Sequence, residues 1–143
     1  MKRLYDAGAT GSTSPNPYDR DVFDHVGPNV RDYGRSRAFY EQALAPLGWT
    51  VLAEWPDHGV AGFGDQGQPV FWLHQREPYT TGLHVAFTCD DRATVDAFHA
   101  AGLAAGGADN GAPGVRWYHE NYYGAFVLDP DGNNVEAVCH RPE

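Results

Sequence analysis

The sequence predicts an α+β fold built from two tandem βαβββ modules, each a curved sheet with a helix on its outer face. Two stretches, "FDHVGPNV" and "LHVAFTC", each place a histidine in an apolar strand and precede a helix. His25 and His84 are both followed 13 residues later by Ala-Phe and 23 residues later by glycine. The 143-residue chain therefore repeats itself with an offset of 59 residues.

The repeat defines the domain organisation. Residues 1–21 mix Gly, Ser, Thr, Pro and Asn without a helical or strand period, and they are predicted to be a flexible N-terminal extension. Residues 22–143 are predicted to form one domain, large enough to bury a sizeable core. Within it, module one spans about 22–78 and module two about 82–141.

The first strand and helix of each module follow from side-chain periodicity. Residues 22–30 and 83–89 are predicted strands, in which alternate side chains face opposite sides. The valines of these strands face the helices, so both histidines face the other way. Asp32 and Asp91 are predicted to begin the two helices, because aspartate is a favourable N-cap residue.

Three apolar runs follow each helix. In module two these are "VRWYH", "YYGAFVL" and "NNVEAVCH", and the preceding "AAGGADNGAPGV" is predicted to be a mobile loop at the pocket rim. "DPDG" predicts a tight turn between the last two strands. If Leu128 pairs with Asn133, Tyr123 and Glu136 share a face, and Glu136 lies on the histidine side of the sheet.

Composition excludes several classes of function. There are 19 acidic and 10 basic residues, a net charge of −9, and no basic run suited to phosphates, so nucleic acid is not an expected partner. No apolar stretch approaches the roughly 18 residues of a membrane helix, and a cytoplasmic location is expected. Cys89 and Cys139 are expected to be buried free thiols, although they could pair if their strands were neighbours.

The closing segment "FVLDPDGNNVEAV", the "DHV" opening with its "SRAFYEQAL" helix, and the "HVAF" strand resemble the vicinal oxygen chelate superfamily. That superfamily includes glyoxalase I, bleomycin resistance proteins, fosfomycin resistance proteins and extradiol dioxygenases. The resemblance covers roughly residues 22–141. It implies a partly closed cup, formed by the two curved sheets around a divalent metal with the helices outside, and it implies homodimers.

The resemblance also implies a set of metal ligands: His25, His84 and Glu136. Alignment of "PVFWLHQ" with "NNVEAVC" puts Trp72 where a fourth ligand would stand. Either His74 substitutes after a register shift, or water and substrate complete the coordination. Two imidazoles and one carboxylate suit Zn, Ni, Mn or Fe. The alternative is that these residues are structural, the histidines hydrogen-bonded and Glu136 solvated or ion-paired.

The stretch "RWYHENYYGAF" supplies the candidate pocket residues. His119 and Tyr123 can donate or exchange protons, so they are candidates for acid and base catalysis, and Arg116 lies in the same stretch. Trp72 and His74 are further candidates for the pocket wall. The alternative is that aromatic residues of this stretch fill the mouth of the cup or a dimer interface.

Two functions remain open from the sequence. The first is a metal-dependent lyase or isomerase, or a dioxygenase-like enzyme, acting on a small oxygen-rich substrate. The second is a metal-free protein of the bleomycin-resistance kind that binds an aromatic or cationic compound. A net charge of −9 and aromatic residues favour capture of a cation. The aromatic residues in question are Trp55, Trp72, Trp117 and Tyr123.

Overall fold

The computed structural model describes residues 23–143 and confirms the α+β fold with two βαβββ modules. The predicted extension, residues 1–21, lies outside the described residues. The first module comprises β1 (Asn29–Val30), α1 (Tyr33–Leu44), β2 (Thr50–Trp55), β3 (Val60–Gly64) and β4 (Phe71–Gln75). The second comprises β5 (His84–Thr88), α2 (Arg92–Ala104), β6 (Ala108–Val115), β7 (Tyr123–Leu128) and β8 (Asn134–Cys139).

The two modules have the same sheet topology. The strand orders are β1-β4-β3-β2 and β5-β8-β7-β6, so the first and last strands of each module are neighbours. These neighbours run parallel, whereas the remaining pairs are antiparallel. One helix packs on each sheet, and the opposite sheet faces are left for a binding site.

The first strand is shorter than the predicted 22–30. Regular pairing covers only β1, and Val26 forms a single isolated bridge with Phe71. Gly27 and Pro28 stand between that bridge and β1, and proline cannot donate a hydrogen bond to a sheet. His25 therefore precedes the regular strand, whereas His84 lies in β5, within the predicted strand 83–89.

Both helices begin at the predicted aspartates. The Asp32 carboxylate accepts a hydrogen bond from the backbone N–H of Arg35 at 3.0 Å, and the Asp91 carboxylate accepts one from Thr94 at 2.7 Å. Each side chain satisfies a donor that has no partner within its helix. Phe39 and Phe98, the aromatic residues at repeat-related positions, are fully buried against the sheets.

One hydrophobic core runs through both modules. Trp49 and Phe71 of module one each contact the Phe87 ring of module two, at centroid distances of 5.2 and 5.4 Å. The buried Tyr40 hydroxyl of α1 donates to the Asp129 carboxylate of the β7–β8 turn at 2.5 Å. Apolar contacts and a buried polar bond therefore fix the two sheets relative to each other.

The β7–β8 hairpin has a different register from the predicted one. Asp129 pairs with Asn133 through the turn, and its carboxylate accepts hydrogen bonds from the N–H groups of Asp131 and Asn133. Strand pairing consequently starts at Leu128 with Asn134. The predicted pairing of Leu128 with Asn133 is wrong by one residue, and such a slip moves a side chain to the opposite face.

The glycine-rich segment predicted as a loop is a strand. Residues 108–115 form β6, which pairs with β7 through two register shifts, whereas most of the predicted "VRWYH" strand lies in the connection from β6 to β7. Glycine and proline disfavour a strand interior, but β6 is an edge strand, where bulges and proline are tolerated. Pairing with β7 overrides the local sequence preference.

Cys89 and Cys139 are buried free thiols, as expected. Burial, together with the nearby Cys139, raises the pKa of Cys89 to about 12. In residues 23–143, no helix has both the length and the apolar character needed to cross a membrane.

The Tyr40–Asp129 contact yields a prediction about stability. Tyr40→Phe should lower the free energy of unfolding by about 1–3 kcal/mol, because a buried carboxylate oxygen loses a donor while the ring packing is kept. Equilibrium denaturation measures this change. Tyr79→Phe is the matched control, since that hydroxyl donates to Glu77, two residues away, at an exposed position. Equal effects of the two variants would contradict the proposed inter-module role.

Candidate functional site

Parallel pairing of β5 with β8 brings His84 and Glu136 together. Ala86 is the strand partner of Glu136, so His84 lies two residues away on the same face. The His84 Nε2 atom is 2.9 Å from the Glu136 Oε1 atom. Only 1% of the Glu136 side chain is exposed, against 54% for His84. The pair thus presents an accessible imidazole backed by a buried carboxylate.

Tyr122 holds the other oxygen of Glu136. Its hydroxyl donates a hydrogen bond to the Glu136 Oε2 atom. Partial burial and this bond raise the pKa of Tyr122 above its ordinary value, so the hydroxyl remains a donor at neutral pH. A buried carboxylate requires such partners, and His84 and Tyr122 satisfy one Glu136 oxygen each.

His25 faces the same space as His84. A cavity of about 400 Å³ lies between residues 23–26 and residues 83–88, and both histidines line it. The His25 Nδ1 atom is 2.6 Å from the Asp24 carboxylate. Regular strand alternation would put the adjacent Asp24 and His25 side chains on opposite faces, but the segment before β1 is irregular, and Asp24 therefore orients this imidazole.

Trp72 occupies the module-one position that corresponds to Glu136. Val26, which follows His25, pairs with Phe71, and Val85, which follows His84, pairs with Val135. Trp72 and Glu136 each come next along their strands. This register agrees with the alignment predicted from the sequence and puts an indole where the second module has a carboxylate.

His74 shares a sheet face with Trp72, as predicted, and lines a second cavity of about 380 Å³ with Trp72 and His25. The Trp72 and His74 ring centroids are 6.4 Å apart. Burial lowers the pKa of His74, and the positive charge of Arg76 adds to this effect. His74 is therefore a neutral ring in the cavity wall at physiological pH.

Tyr123 lies on the opposite face from Glu136. Its hydroxyl donates to Asp96 of α2 at 2.6 Å, and the Arg92 guanidinium covers its ring. The hairpin register explains this position, because Phe126, and not Ala125, pairs with Glu136. The face-sharing that supported an acid or base role for Tyr123 is wrong, and we do not assign that role to it.

The remaining candidates lie in the connection from β6 to β7. His119 stacks on the His140 ring at a centroid distance of 5.0 Å and contacts the Tyr122 ring, but it lines neither cavity. The Arg116 guanidinium lies 5.5 Å from the Phe126 ring centroid, and its Nη2 donates to the Ala112 carbonyl. Phe126 in turn lies beside His84, with centroids 6.1 Å apart. Arg116 is thus near the site, whereas His119 reaches it only through Tyr122.

The donor chemistry of the site suits a divalent cation. The His84 Nε2 atom and the Glu136 Oε1 atom are both of a type that binds such cations, and they lie 2.9 Å apart. At His25, the Asp24 carboxylate engages Nδ1, which is a common way to leave Nε2 for a metal. Within residues 23–143, however, no three His, Cys, Asp or Glu side chains are already gathered around one point.

Comparison with known proteins places the chain in a family. The family model of the Glyoxalase/Bleomycin resistance protein/Dioxygenase superfamily matches residues 22–137, which is most of the chain. The chain belongs to this superfamily. The resemblance to vicinal oxygen chelate proteins is therefore confirmed at the level of family and fold. None of the curated proteins compared with the chain matches it.

Solved structures agree with the family assignment. A glyoxalase/bleomycin resistance protein from Albidiferax ferrireducens T118 is 31% identical with a TM-score of 0.71, covering 84% of this chain and 98% of its own. A glyoxalase I mutant from Zea mays is 28% identical with a TM-score of 0.62, covering 81% of this chain but 46% of its own. A glyoxalase/bleomycin resistance protein/dioxygenase family enzyme from Burkholderia phytofirmans PsJN shares the fold at 22% identity and a TM-score of 0.63, covering 82% of this chain and 98% of its own.

Two residues of this candidate site cannot be predicted from the sequence. Sequence periodicity predicts neither the contact of Tyr122 with Glu136 nor that of Asp24 with His25. Tyr122 precedes the regular part of β7, so strand alternation could not predict where its hydroxyl lies. The only available signal was the adjacency of two tyrosines, Tyr122 and Tyr123, of which one reaches each side of the sheet.

The Tyr122–Glu136 bond yields a prediction. Tyr122→Phe should lower the free energy of unfolding by about 1–3 kcal/mol, because the buried Glu136 carboxylate loses a donor. Chemical denaturation measures the change. Tyr118→Phe, in the same connection and with 48% of the residue exposed, is the control and should change stability by less than about 0.5 kcal/mol. Indistinguishable variants would argue against a buried, Tyr122-dependent carboxylate.

Proposed function

We propose that this protein is a glyoxalase-like, divalent-metal-dependent enzyme of lyase or isomerase type, acting on a small oxygen-rich substrate. The observation that supports the proposal best is the contact of 2.9 Å between His84 and the buried Glu136 at the edge of a cavity that His25 also lines. The superfamily includes glyoxalases and dioxygenases, and a lactoylglutathione lyase from Agrobacterium tumefaciens shares the fold at 20% identity and a TM-score of 0.61.

His25, His84 and Glu136 are the proposed protein ligands. The donor atoms would be an imidazole nitrogen of His25, the Nε2 atom of His84 and a carboxylate oxygen of Glu136. Zn, Ni, Mn and Fe all accept this donor set. When bound, such a cation would polarise substrate oxygens and stabilise negative charge that develops on them.

The surrounding residues position these donors. Tyr122 donates to Glu136 and fixes the direction of its carboxylate, and His119 packs on the Tyr122 ring. Asp24 sets the orientation of the His25 imidazole. Arg116, held by the Ala112 carbonyl, packs on the ring of Phe126, which in turn lies beside His84. In this proposal His119 is a positioning residue, because its contact with Glu136 passes through Tyr122.

The presence of Trp72 at the module-one position that corresponds to Glu136 limits the reaction that can be proposed. A second carboxylate at that position could have acted as a base, but Trp72 has no group that accepts a proton. Proton transfer would therefore fall to a group already in the site.

Metal analysis tests the proposal. Protein purified without a metal-binding tag, then exposed to each metal and desalted, should retain close to one cation per chain. His25→Ala, His84→Ala and Glu136→Gln should each weaken binding by more than the roughly 10- to 100-fold that loss of an outer partner costs. His58→Ala is the control, because His58 is exposed and lies in neither cavity.

The result also separates the two functions left open by the sequence. Equal metal content in all four variants would contradict the ligand assignment. No retained metal, together with tight binding of a cationic aromatic compound, would favour the metal-free bleomycin-resistance-like alternative. The net charge of −9 and the exposed Trp55 are the features that would support such binding. A homodimer and a cytoplasmic location remain predictions.

A further inference from the structure

The concave face of module one carries a layer of flat rings. Trp55 and Trp72 stack with centroids 6.1 Å apart and an angle of 13° between their planes. The His74 ring continues the layer at 6.4 Å from Trp72 and 31°. We call Trp55, Trp72 and His74 the aromatic floor. All three line the second cavity together with Asp24 and His25.

The sheet beneath the aromatic floor is shaped to accept it. Gly62 is the cross-strand partner of Trp72, and a Cβ atom at this position would come within 2.8 Å of the indole ring. The indole therefore lies against bare backbone, where any other residue would push it away. In module two the corresponding pair is Phe126 and Glu136. An aromatic residue therefore stands where module one has Gly62, and a carboxylate stands where it has Trp72.

Exposure indicates that the aromatic floor is not simply core. Trp55 is 53% exposed, although indoles are usually well covered. Its open face and the open cavity beside Trp72 leave room for another flat group. Isolated exposed aromatics are common, but here two stacked indoles and a tilted imidazole line the same cavity wall.

His25 joins the aromatic floor to the proposed metal ligands. It lines the cavity shared with His84 and also the cavity that contains the floor. A molecule that reaches both cavities would meet oxygen-binding groups at one end and flat apolar rings at the other. The rings of module one would thus select substrates by the part of the molecule that does not react.

We propose that the substrate of this protein carries a planar aromatic ring, which stacks on Trp55 and Trp72 while its oxygen atoms face His84 and Glu136. The position of the oxygens rests on the proposed function, whereas the stacking of the ring does not. Aromatic stacking contributes about 0.5–1.5 kcal/mol beyond the area buried, which corresponds to a roughly 2- to 12-fold preference over a saturated ring.

Two neutral diols provide matched probes: 1-phenyl-1,2-ethanediol and 1-cyclohexyl-1,2-ethanediol. They carry the same vicinal oxygens and differ in whether the six-membered ring is aromatic. Their lack of charge removes any bias from the acidic protein. Isothermal titration calorimetry of the full chain, with and without added metal, should show roughly 2- to 12-fold tighter binding of the phenyl compound.

Variants assign that preference to the floor. Trp55→Leu and Trp72→Leu should each reduce the phenyl-to-cyclohexyl affinity ratio towards 1 without changing the metal content. Trp55→Leu keeps the test decisive if Trp72→Leu fails to fold, since Trp55 is half exposed. Trp117→Leu is the matched control, because Trp117 is 88% exposed and lines neither cavity.

The outcomes test the proposed ring site and the proposed metal site separately. No binding of the phenyl diol, equal affinities for the two diols, or a preference that survives both floor variants would overturn the aromatic-ring proposal. A floor-dependent preference in a protein that retains no metal would support the ring site while contradicting the proposed metal function. Metal binding without any ring preference would support the proposed metal function while contradicting the aromatic-ring proposal.

Discussion

The parallel pairing of the first and last strands in each module is the constraint on which the site depends. It sets Val26, after His25, beside Phe71, and Val85, after His84, beside Val135. The side chain that stands next on the concave face of each closing strand is thereby decided. In module two that side chain is Glu136, and its contact with His84 follows from two residues of strand spacing. In module one the same spacing delivers Trp72.

The burial of Glu136 means that its carboxylate requires hydrogen-bond partners in module two. A carboxylate that is 1% exposed is stable only if its oxygens have partners, so His84 and Tyr122 are required by the position of Glu136 as well as useful to it. Module one has no such requirement, because an indole is satisfied by packing over Gly62. One repeated framework therefore supplies a polar half and an aromatic half, and that asymmetry is the strongest guide to the chemistry of the ligand.

Much of this could be predicted from the sequence, for reasons that particular residues make clear. The repeat, the helix starts at Asp32 and Asp91, and the match of Trp72 with Glu136 are local or periodic features, which a linear pattern records directly. Tyr123 could not be placed, because its face depends on whether Asn133 belongs to the turn or the strand, and the Asp129 side chain decides that. β6 was missed because its glycines and proline disfavour a strand, and only pairing with β7 makes it one. His25 and Asp24 became neighbours because the segment before β1 leaves regular alternation.

Diffraction with anomalous scattering, on crystals of metal-replete protein, tests the central claim most directly. The ligand assignment predicts one strong anomalous peak bonded to His84 Nε2 and a Glu136 carboxylate oxygen, with the His25 imidazole completing the protein ligands. A replete crystal with its peak elsewhere, for example at the His119–His140 stack, or with no peak beside Glu136, would contradict it.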